Sequence, residues 1–455
     1  FGSRIQIQHF RHVGIQLAHV VLHALFFGSS TRRHSRIWWL GLCFAYKRSL
    51  MVALFTLGCG SASELGTRPE VTGSEAVLVE FPADAARTSG GDLDITDIAV
   101  GTDHCVALVR GKPYRWGLRG ANTGRYGRYT DHHMAPGNLV QKAPEVVCHP
   151  SSLLDWGYDE DKEEMPAIDG KVVLAASGGS NTFLVTANGD VYLYGDLRPP
   201  GGPPDRLFRI WAVQQGASLR PRVVGVSAGW RHCLLLLDSG QVHALGDDEY
   251  GQCAGCGSGE VRVRMPSDQP VIGIAAGTCH SLAWDSSGVA YAWGHGGAGR
   301  LGTGSAHHCS SPCRLTMLQD PVSAISCGAN FTIFATGSGH GLWACGGNQY
   351  GQLGLDLPLS AQQHSPRRLD FPRPTEVVVQ LACGTNHALC MTQQEEFPTE
   401  TRPVVWAWGC SASGQCGKAP GELSREPPAS RPIPEPLVEF MAPSQHWPVQ
   451  LAAGR

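Results

Sequence analysis

Short apolar segments separated by glycine recur along the chain at regular intervals. Residues 271–304 show the pattern, as VIGIAAGTCHSLAWDSSGVAYAWGHGGAGRLGTG: an apolar segment, Ala-Gly, a histidine, a second apolar segment, a glycine turn and a third segment ending in Trp-Gly. Short apolar or alternating segments bounded by glycine are typical of β-strands, and helical periodicity is nearly absent. The pattern predicts an all-β protein built from repeats.

The unit recurs along the chain at 95–117, 172–195, 223–255, 322–354 and 377–417. We call the glycine of the Ala-Gly pair, at the end of the first segment, the corner glycine. In five units it precedes the glycine that closes the third segment by 16 positions (Gly101 to Gly117) to 18 positions (Gly328 to Gly346). The unit at 377–417 is longer because it holds the polar insert QQEEFPTETRP. Such constant spacing indicates internal repeats.

A four-stranded unit of this size cannot bury both of its faces alone, so neighbouring units must stack. Radial stacking of such sheets produces a β-propeller, and the high content of Gly (57) and Pro (30) suits its many turns. The position that closes the third strand occurs seven times, as Leu57-Gly58, Trp116-Gly117, Tyr194-Gly195, Leu245-Gly246, Trp293-Gly294, Cys345-Gly346 and Trp408-Gly409. We therefore predict a seven-bladed β-propeller.

The units resemble the regulator-of-chromosome-condensation (RCC1-like) repeat, whose pattern is AG..HS.AL...G.VY.WG....GQLG. In the unit quoted above, this pattern is matched by Ala276, Gly277, His280, Ser281, Leu282, Gly288, Tyr291, Trp293, Gly294, Gly299, Leu301 and Gly302. The resemblance runs from Val52 to Arg455 and implies a propeller of RCC1-like repeats. It departs where Asn181 and Phe331 replace the corner histidine, and where RPPGGPPD (198–205) replaces the GQLG segment. We expect altered loops in those blades.

The repeated positions are interpreted as structural. They are Gly101, His104, Gly229, His232, Gly277, His280, Gly384 and His387 at the corners, and Trp116, Trp293 and Trp408 at the ends of the third strands. Histidines at one topological position on different blades cannot converge on one substrate, so we expect them to lock the corner backbone through hydrogen bonds. Gly294, Gly296 and Gly299 spell GxGxxG, but no helix pattern follows to hold a pyrophosphate. The sequence predicts no catalytic residue, no cofactor and no enzyme activity.

The 16 cysteines raise the question of a metal site, above all in CAGC (253–256) and HHCSSPC (307–313). The repeat register favours another interpretation. Cys253 and Cys416 stand at the leucine position of the GQLG segment, and Cys345 stands at the tryptophan position. Cysteine then serves as a small buried apolar residue, and no metal site is predicted. Unpaired thiols favour an intracellular reducing compartment, with the cytoplasm or nucleus preferred.

The two ends of the chain read as halves of one blade. VALFTLGCGSASELG (52–66) matches the second half of a unit, and VQLAAGR (449–455) matches the start of one. We expect this last blade to be closed by both termini, which removes exposed sheet edges. The histidine-bearing strand is missing from it, so we expect the natural gene to continue past Arg455.

Residues 1–50 differ from the rest, with no Asp or Glu and seven Lys or Arg. They are interpreted as a leader outside the fold, which occupies residues 51–455. Two interpretations of this leader stay open. It is either an untranslated region that has been read as protein, or a mitochondrial or plastid transit peptide, which would place the protein in an organelle. A membrane anchor is disfavoured because the apolar stretch VGIQLAHVVLHALFF is short and contains histidine.

Charge points to protein partners rather than nucleic acid or a membrane, because 36 basic and 39 acidic residues create no strong overall field. The largest insertion between units contains DWGYDEDKEEM (155–165), an acidic segment with two aromatic residues. It either docks a basic partner surface or is a solvated excursion. The candidate contact residues are Asp155, Trp156, Tyr158, Asp159, Glu160, Asp161, Glu163 and Glu164.

Two functions stay open at this point. The first is a non-catalytic scaffold that presents propeller loops to other proteins within a multi-subunit assembly. The second is implied by the resemblance alone: a guanine-nucleotide exchange factor for a Ran-type small GTPase. The family pattern is structural, so no exchange residue is carried over to this chain.

Overall fold

The fold is that of a computed structural model, in which strands dominate. It describes residues 36–39, 42–46, 54–58, 73–79, 95–102, 104–118, 140–146, 168–197, 207–215, 218–255, 260–373, 375–395, 403–412, 414–417, 430–437 and 448–453. The helical turns within these ranges are the single 3₁₀ turns Gly297–Gly299 and Gly337–Gly339.

The strands follow the glycine-bounded segments of the sequence. The first are β1 (Arg36–Trp39), β2 (Leu42–Tyr46), β3 (Leu54–Gly58) and β4 (Gly73–Val79). Blade 1 contains β5 (Ile95–Val100), β6 (His104–Val109), β7 (Lys112–Leu118) and β8 (Val140–Val146). Blade 2 contains β9 (Val172–Gly178), β10 (Asn181–Thr186), β11 (Val191–Tyr194) and β12 (Leu207–Trp211), followed by the short pair β13 (Gln214–Gln215) and β14 (Ser218–Leu219).

The remaining blades repeat the same order. Blade 3 contains β15 (Val223–Ala228), β16 (His232–Leu237), β17 (Val242–Gly246) and β18 (Val261–Arg262). Blade 4 contains β19 (Val271–Ala276), β20 (His280–Asp285), β21 (Ala290–Gly294) and β22 (Cys309–Arg314). Blade 5 contains β23 (Val322–Cys327), β24 (Phe331–Thr336), β25 (Gly341–Gly347) and β26 (Gln362–Arg368). Blade 6 contains β27 (Glu376–Cys383), β28 (His387–Gln394), β29 (Val404–Cys410) and β30 (Ser430–Pro436), and β31 (Pro448–Ala453) comes last.

Each blade is a four-stranded antiparallel sheet with its strands in chain order. The register places the corner residue of the second strand opposite the glycine that closes the third, as with His280 and Gly294. That glycine has a φ of +97°, a left-handed conformation that an L side chain rarely adopts. The glycines that set the repeat spacing in the sequence thus end the strands in the fold.

The prediction of an all-β propeller is confirmed, but the predicted number of seven blades is wrong. The structure shows six four-stranded blades. The position Leu57-Gly58, which was counted as the seventh, lies in a sheet of five strands formed by β1 to β4 with β31. Two of these strands come from residues 36–46. This sheet therefore does not repeat the four-stranded order, and the motif count overstated the number of blades. The assignment of residues 1–50 as a leader stays a prediction.

A central channel runs along the axis of the blades, lined by their first strands. Each blade contributes small residues, such as Ala99, Ser227 and Ala276. Strand β31 lies between the first strands of blades 6 and 1. The Gln450 side chain donates a hydrogen bond to Asp97 of blade 1 (2.8 Å), and the Leu451 backbone N–H donates one to Gln380 of blade 6 (2.8 Å). The last strand thus joins blade 6 to blade 1 at the channel.

The hydrophobic core lies between blades rather than within them. The second strand of blade 4, like those of blades 1, 2, 3 and 5, is buried at every position. One cluster packs Leu234 and Val242 of blade 3 against Ala283 and Trp293 of blade 4. Equivalent clusters join blade 4 to blade 5 and blade 5 to blade 6. A blade is therefore covered by its neighbours, as expected for radial stacking.

The corner glycines are required by the corner histidines. The His280 ring packs directly against Gly277, where a Cβ atom would lie 2.0 Å from the ring Cε1 atom. Gly101 with His104 and Gly229 with His232 show the same close approach. A side chain at the glycine position would displace the imidazole, which explains why glycine and histidine occur together.

The GQLG segments, which we call boxes, dock blades 3, 4 and 5 onto the blade that follows each of them. The boxes described are 251–254, 299–302, 351–354 and 414–417. The Gln252 carbonyl of the blade 3 box accepts a hydrogen bond from the Trp293 indole of blade 4 (2.9 Å), and the Gln352 carbonyl accepts one from Trp408 (3.0 Å). Cys345, which stands at the tryptophan position, contacts the Arg300 carbonyl through its sulfur (3.5 Å). The tryptophan position therefore anchors the preceding blade.

The corner histidines of blades 1, 3 and 4 also reach a hydroxyl group on the next blade. His104 Nε2 lies 2.9 Å from Thr182 Oγ1, His232 Nε2 lies 3.0 Å from Ser281 Oγ, and His280 Nε2 lies 3.1 Å from Thr332 Oγ1. The Thr332 hydroxyl donates to the Arg300 carbonyl (2.8 Å), so it accepts its bond from His280. This orientation requires a proton on Nε2 of the imidazole.

Where the corner histidine is absent, the hydroxyl is absent too. Blade 2 has Asn181 at the corner, and the matching position in blade 3 is Cys233. Blade 5 has Phe331, and the matching position in blade 6 is Ala388. Asn181 instead bonds within its own blade, where its Oδ1 accepts the Leu197 N–H (2.8 Å). Histidine and hydroxyl therefore form one joint shared by two blades.

Replacing Thr332 with valine tests this joint. Thr332→Val keeps the shape of the side chain but deprives His280 Nε2 and the Arg300 carbonyl of their buried partner, so we expect the free energy of unfolding to fall by about 2–4 kcal/mol. Thr332→Ser is the matched control, because it keeps the hydroxyl and loses a single methyl group, at about 1 kcal/mol. Urea denaturation of both variants measures the difference. A valine variant as stable as the serine variant would contradict the assignment.

Candidate functional site

The candidate contact segment predicted from the sequence lies outside the described residues. It comprises Asp155, Trp156, Tyr158, Asp159, Glu160, Asp161, Glu163 and Glu164, between Val146 at the end of β8 and Ile168. Its role in binding stays a prediction.

The corner histidines lie in four separate blades and do not share a site. His104, His232, His280 and His387 are all at most 5% exposed, and the first three are engaged in the joints described above. Burial lowers the pKa of His387 to about 4, and burial with nearby Arg115 holds the pKa of His104 well below its usual value. Buried imidazoles on different blades are suited to holding the backbone, not to proton transfer to one substrate.

The tryptophans and cysteines of the repeat occupy the interior. Trp116, Trp293 and Trp408 are fully buried, and so are Cys345 and Cys416. Burial raises the pKa of Cys383 to about 12, which keeps its thiol protonated at neutral pH. None of the described cysteines forms a disulfide, and within the described ranges no group of three or more His, Cys, Asp or Glu side chains could hold a metal ion.

Asp97 is a buried carboxyl group in the wall of the central channel. Its oxygens accept hydrogen bonds from the Ile98 and Ala175 backbone N–H groups (2.9 and 2.8 Å) and from Gln450. Burial nevertheless raises its pKa to about 6, outweighing these three donors. The bonds from Ala175 and Gln450 tie blade 1 to blade 2 and to β31, so Asp97 has a positioning role where the last strand meets blade 1.

The propeller has two faces of different construction. On the box face, the corner turns bond to the starts of the box loops, as when the Asp247 N–H donates to the Arg231 carbonyl (2.7 Å). On the opposite hairpin face, the turns between second and third strands contact the start of the next blade, as when the Val271 N–H donates to the Gly240 carbonyl (3.1 Å). A partner that binds one face therefore meets a different set of loops from a partner that binds the other.

Two tyrosines occupy equivalent positions in the box loops of blades 3 and 5. Tyr250 packs edge-on against the rings of His295 and His308 of blade 4, with centroid distances of 4.4 and 5.3 Å. In blade 6 the residues at the equivalent positions are Cys410 and Ser430, which offer no ring. Tyr350 accordingly stays 39% exposed.

Tyr350 belongs to an exposed apolar patch at the rim of the box face, between blades 5 and 6. We define the Tyr350 patch as Tyr350, Leu359 and Ile433, which are 39%, 44% and 47% exposed. Gly351 adjoins Pro432, since a Cβ on Gly351 would lie 2.4 Å from the Pro432 Cα atom, and this contact brings the box loop to Ile433. Hydrogen bonds from Asn348 to the Leu357 and Pro358 carbonyls (3.3 Å each) hold the Leu359 turn beside the same loop.

The loop that carries Tyr350 is held in one conformation. The Gln352 side chain accepts the Tyr350 N–H (2.8 Å) and donates to Asn330 (3.1 Å), and Asn348 accepts the Leu353 N–H (3.2 Å). An exposed aromatic residue on a fixed loop is a favourable anchor for a protein partner, because little conformational entropy is lost on binding. This patch is not among the contact residues predicted from the sequence, although the Tyr-Gly-Gln repeated in two box loops is a signal for it.

The lowered pKa of His387 predicts a loss of stability in acid. The unfolded imidazole has a pKa near 6.5 and the folded one about 4, so the contribution of His387 is present above pH 6.5 and is lost as the pH falls towards 4. His387→Asn copies the natural corner residue of blade 2. We expect wild type to lose about 2 kcal/mol more than this variant between pH 7 and pH 5, measured by urea denaturation. Asp97, whose raised pKa acts in the opposite direction, is common to both proteins. Equal losses in the two proteins would show that His387 is not held neutral.

Comparison with known proteins agrees with this architecture. The sequence model of the RCC1-like domain matches residues 53–454. Among relatives, the chain is 28% identical over 396 residues to the human E3 ubiquitin-protein ligase HERC2, which covers 82% of this chain and 7% of HERC2. It is 27% identical over 334 residues to the ultraviolet-B receptor UVR8 of Arabidopsis thaliana, covering 71% of this chain and 67% of UVR8.

Among solved structures, Prp20p of Saccharomyces cerevisiae superimposes with a TM-score of 0.62 at 18% identity. The match covers 91% of this chain and 88% of Prp20p, a protein described with its binding to Gsp1p and histones. Within the described ranges of our chain, no helix has the length and apolar character needed to cross a membrane. The six blades, their glycine corners and boxes, and the match over residues 53–454 lead to one conclusion: this chain belongs to the RCC1-like β-propeller family.

Proposed function

We propose that this protein is a non-catalytic scaffold whose propeller binds a protein partner through the Tyr350 patch. The observation that carries the proposal is the exposure of Tyr350 on the box loop, Leu359 on the turn held beside it and Ile433 on the adjoining edge strand of blade 6. Clustered exposed apolar side chains on a folded surface mark interaction sites, and aromatic residues lead among binding hot spots.

The surroundings of the patch favour a partner of mixed character. Tyr350 offers a phenol that can hydrogen-bond as well as an apolar ring, whereas Leu359 and Ile433 offer only apolar surface. On this proposal the buried repeat residues hold the frame, and specificity resides in the loops that differ between blades. We also propose that the protein works in a reducing intracellular compartment, the cytoplasm or the nucleus.

Alanine substitution in the patch tests the proposal. We expect Tyr350→Ala with Leu359→Ala to reduce recovery of a bound partner by at least about tenfold in affinity capture from native cells, because it removes two anchors. Met317→Ala is the matched control, since Met317 is 52% exposed in the connection between blades 4 and 5 on the hairpin face. Quantitative mass spectrometry of the captured proteins gives the readout. Equal recovery with the patch variant and the control would remove the patch as the binding site.

Guanine-nucleotide exchange on a Ran-type GTPase is the second candidate. It is favoured by membership of the RCC1-like family and by the similarity of fold to Prp20p. The two candidates differ in a simple assay, in which a Ran-type GTPase loaded with mant-GDP is mixed with the protein and excess GDP. On the scaffold proposal the fluorescence decays at the spontaneous rate. A decay that accelerates in proportion to the protein concentration would instead establish exchange activity.

A further inference from the structure

Two cysteines on the outer strand of blade 4 lie side by side although four positions separate them in the sequence. Cys309 pairs with Gly294 of β21, and Cys313 pairs with Ala292. The register shifts between these pairs, so Ser310, Ser311 and Pro312 form a bulge that lies opposite a single residue of β21. The bulge therefore places the two cysteines of β22 opposite two residues of β21 that are only two positions apart.

This geometry is compatible with a disulfide. Positions two apart on a strand point to the same face and lie about 6.6 Å apart along it. Disulfides join Cα atoms up to about 6.8 Å apart when the side chains lie on one face. The two thiols hydrogen-bond to each other, and both are only partly buried.

Three other pairs of cysteines in the described blades differ from this one, and in the first of them Cys233 and Cys253 are both buried. The Cys416 thiol contacts the backbone carbonyl of Cys410 rather than its sulfur (3.2 Å). Cys383 and Cys390 are close enough to influence each other, but Cys390 is fully buried in the core between blades 5 and 6. Cys309 and Cys313 lie instead on the outermost strand of a blade, within reach of a reagent in solution.

We infer that Cys309 and Cys313 are a modification site, a dithiol that a low-molecular-weight disulfide such as oxidised glutathione converts into an intramolecular disulfide. The Cys313 thiolate attacks one sulfur of the reagent, forms a mixed disulfide and releases the first small thiolate. The Cys309 thiolate then attacks the Cys313 sulfur and releases the second. The two protein thiols lose two electrons and two protons, and the small disulfide is reduced to two thiols.

The order of the two attacks follows from the surroundings of the thiols. Burial raises the pKa of Cys309 to about 11, as does the hydrogen bond that its thiol donates to Cys313, so the Cys309 thiolate is scarce in neutral solution. Cys309 also packs against the clusters that join blades 3, 4 and 5, whereas the Cys313 thiol donates a hydrogen bond to the Ser311 carbonyl at the surface (3.5 Å). Cys313 is therefore the attacking residue and Cys309 the resolving one.

The site adjoins the joint between blades 3 and 4. A Cβ on Gly251 of the blade 3 box would lie 2.5 Å from the Cα atom of Ser310, inside the bulge. Closing the disulfide across the bulge would hold Ser310 against this box. The modification would thus act where one blade rests on another.

Mass spectrometry of one peptide tests the inference. Trypsin releases residues 301–314, which contain Cys309 and Cys313 and no other cysteine. The purified full chain is incubated with oxidised glutathione, quenched in acid, alkylated and digested. We expect the wild-type peptide to be lighter by two hydrogen atoms and to carry neither an alkyl nor a glutathionyl group. Cys309→Ser should stop at one glutathionyl group on Cys313, and the control Cys410→Ser, a substitution on blade 6, should close as wild type does.

The contribution of the fold is measured against the isolated peptide. A synthetic peptide of residues 301–314 is equilibrated with the same glutathione buffers, and we expect the folded chain to form the disulfide at least about tenfold more favourably, because the sheet holds the thiols together. The inference is overturned if the wild-type peptide remains doubly alkylated, or carries a glutathionyl group beside an alkylated cysteine. It is equally overturned if the isolated peptide closes as readily as the chain. Because the comparison is between the wild-type chain and the synthetic peptide, its result does not depend on whether a cysteine variant folds.

Discussion

The second strand of a blade is buried on both sides, and this constraint organises the molecule. In β6, β10, β16, β20 and β24 every residue is inaccessible to solvent, including polar residues such as His280 and Ser281. A four-stranded sheet cannot cover both faces of its own strand, so the neighbouring blade must do so. The polar atoms in these strands then need partners across the joint, because an unpaired buried donor is costly. The histidine–hydroxyl bonds and the tryptophan–box bonds supply those partners.

Local features of the sequence predicted the parts of the fold that depend on local geometry. Gly294 ends a strand because its backbone is left-handed, and Gly277 accompanies His280 because the imidazole fills the space of a Cβ atom. Such requirements leave a fixed spacing in the sequence. The number of blades depends instead on which distant strands pair, and Leu57-Gly58 looks like any other closing position although its sheet has five strands. A motif count cannot detect that difference.

The surface was harder to predict for a related reason. Tyr250 and Tyr350 stand at the same position of their repeats, yet one is covered by two imidazole rings and the other is exposed. What decides exposure is the residue at the equivalent place on the following blade, His295 in one case and Cys410 in the other. Asp97 is a similar example, since its polarity within an apolar strand makes sense only once β31 brings Gln450 to it. Candidate functional residues of this chain are therefore defined by pairs of blades.

The shared joint of imidazole and hydroxyl gives the ring a direction. Blades 1, 3 and 4 have a corner histidine, and the blade after each has Thr182, Ser281 or Thr332 next to its own corner residue. Blades 2 and 5 have Asn181 and Phe331 instead, and the matching residues of the blades after them are Cys233 and Ala388. These blades are consequently not interchangeable modules. Moving blade 4 to another place would separate His280 from Thr332 and Ser281 from His232, so the smallest complete hydrogen-bonding unit here is a pair of neighbouring blades.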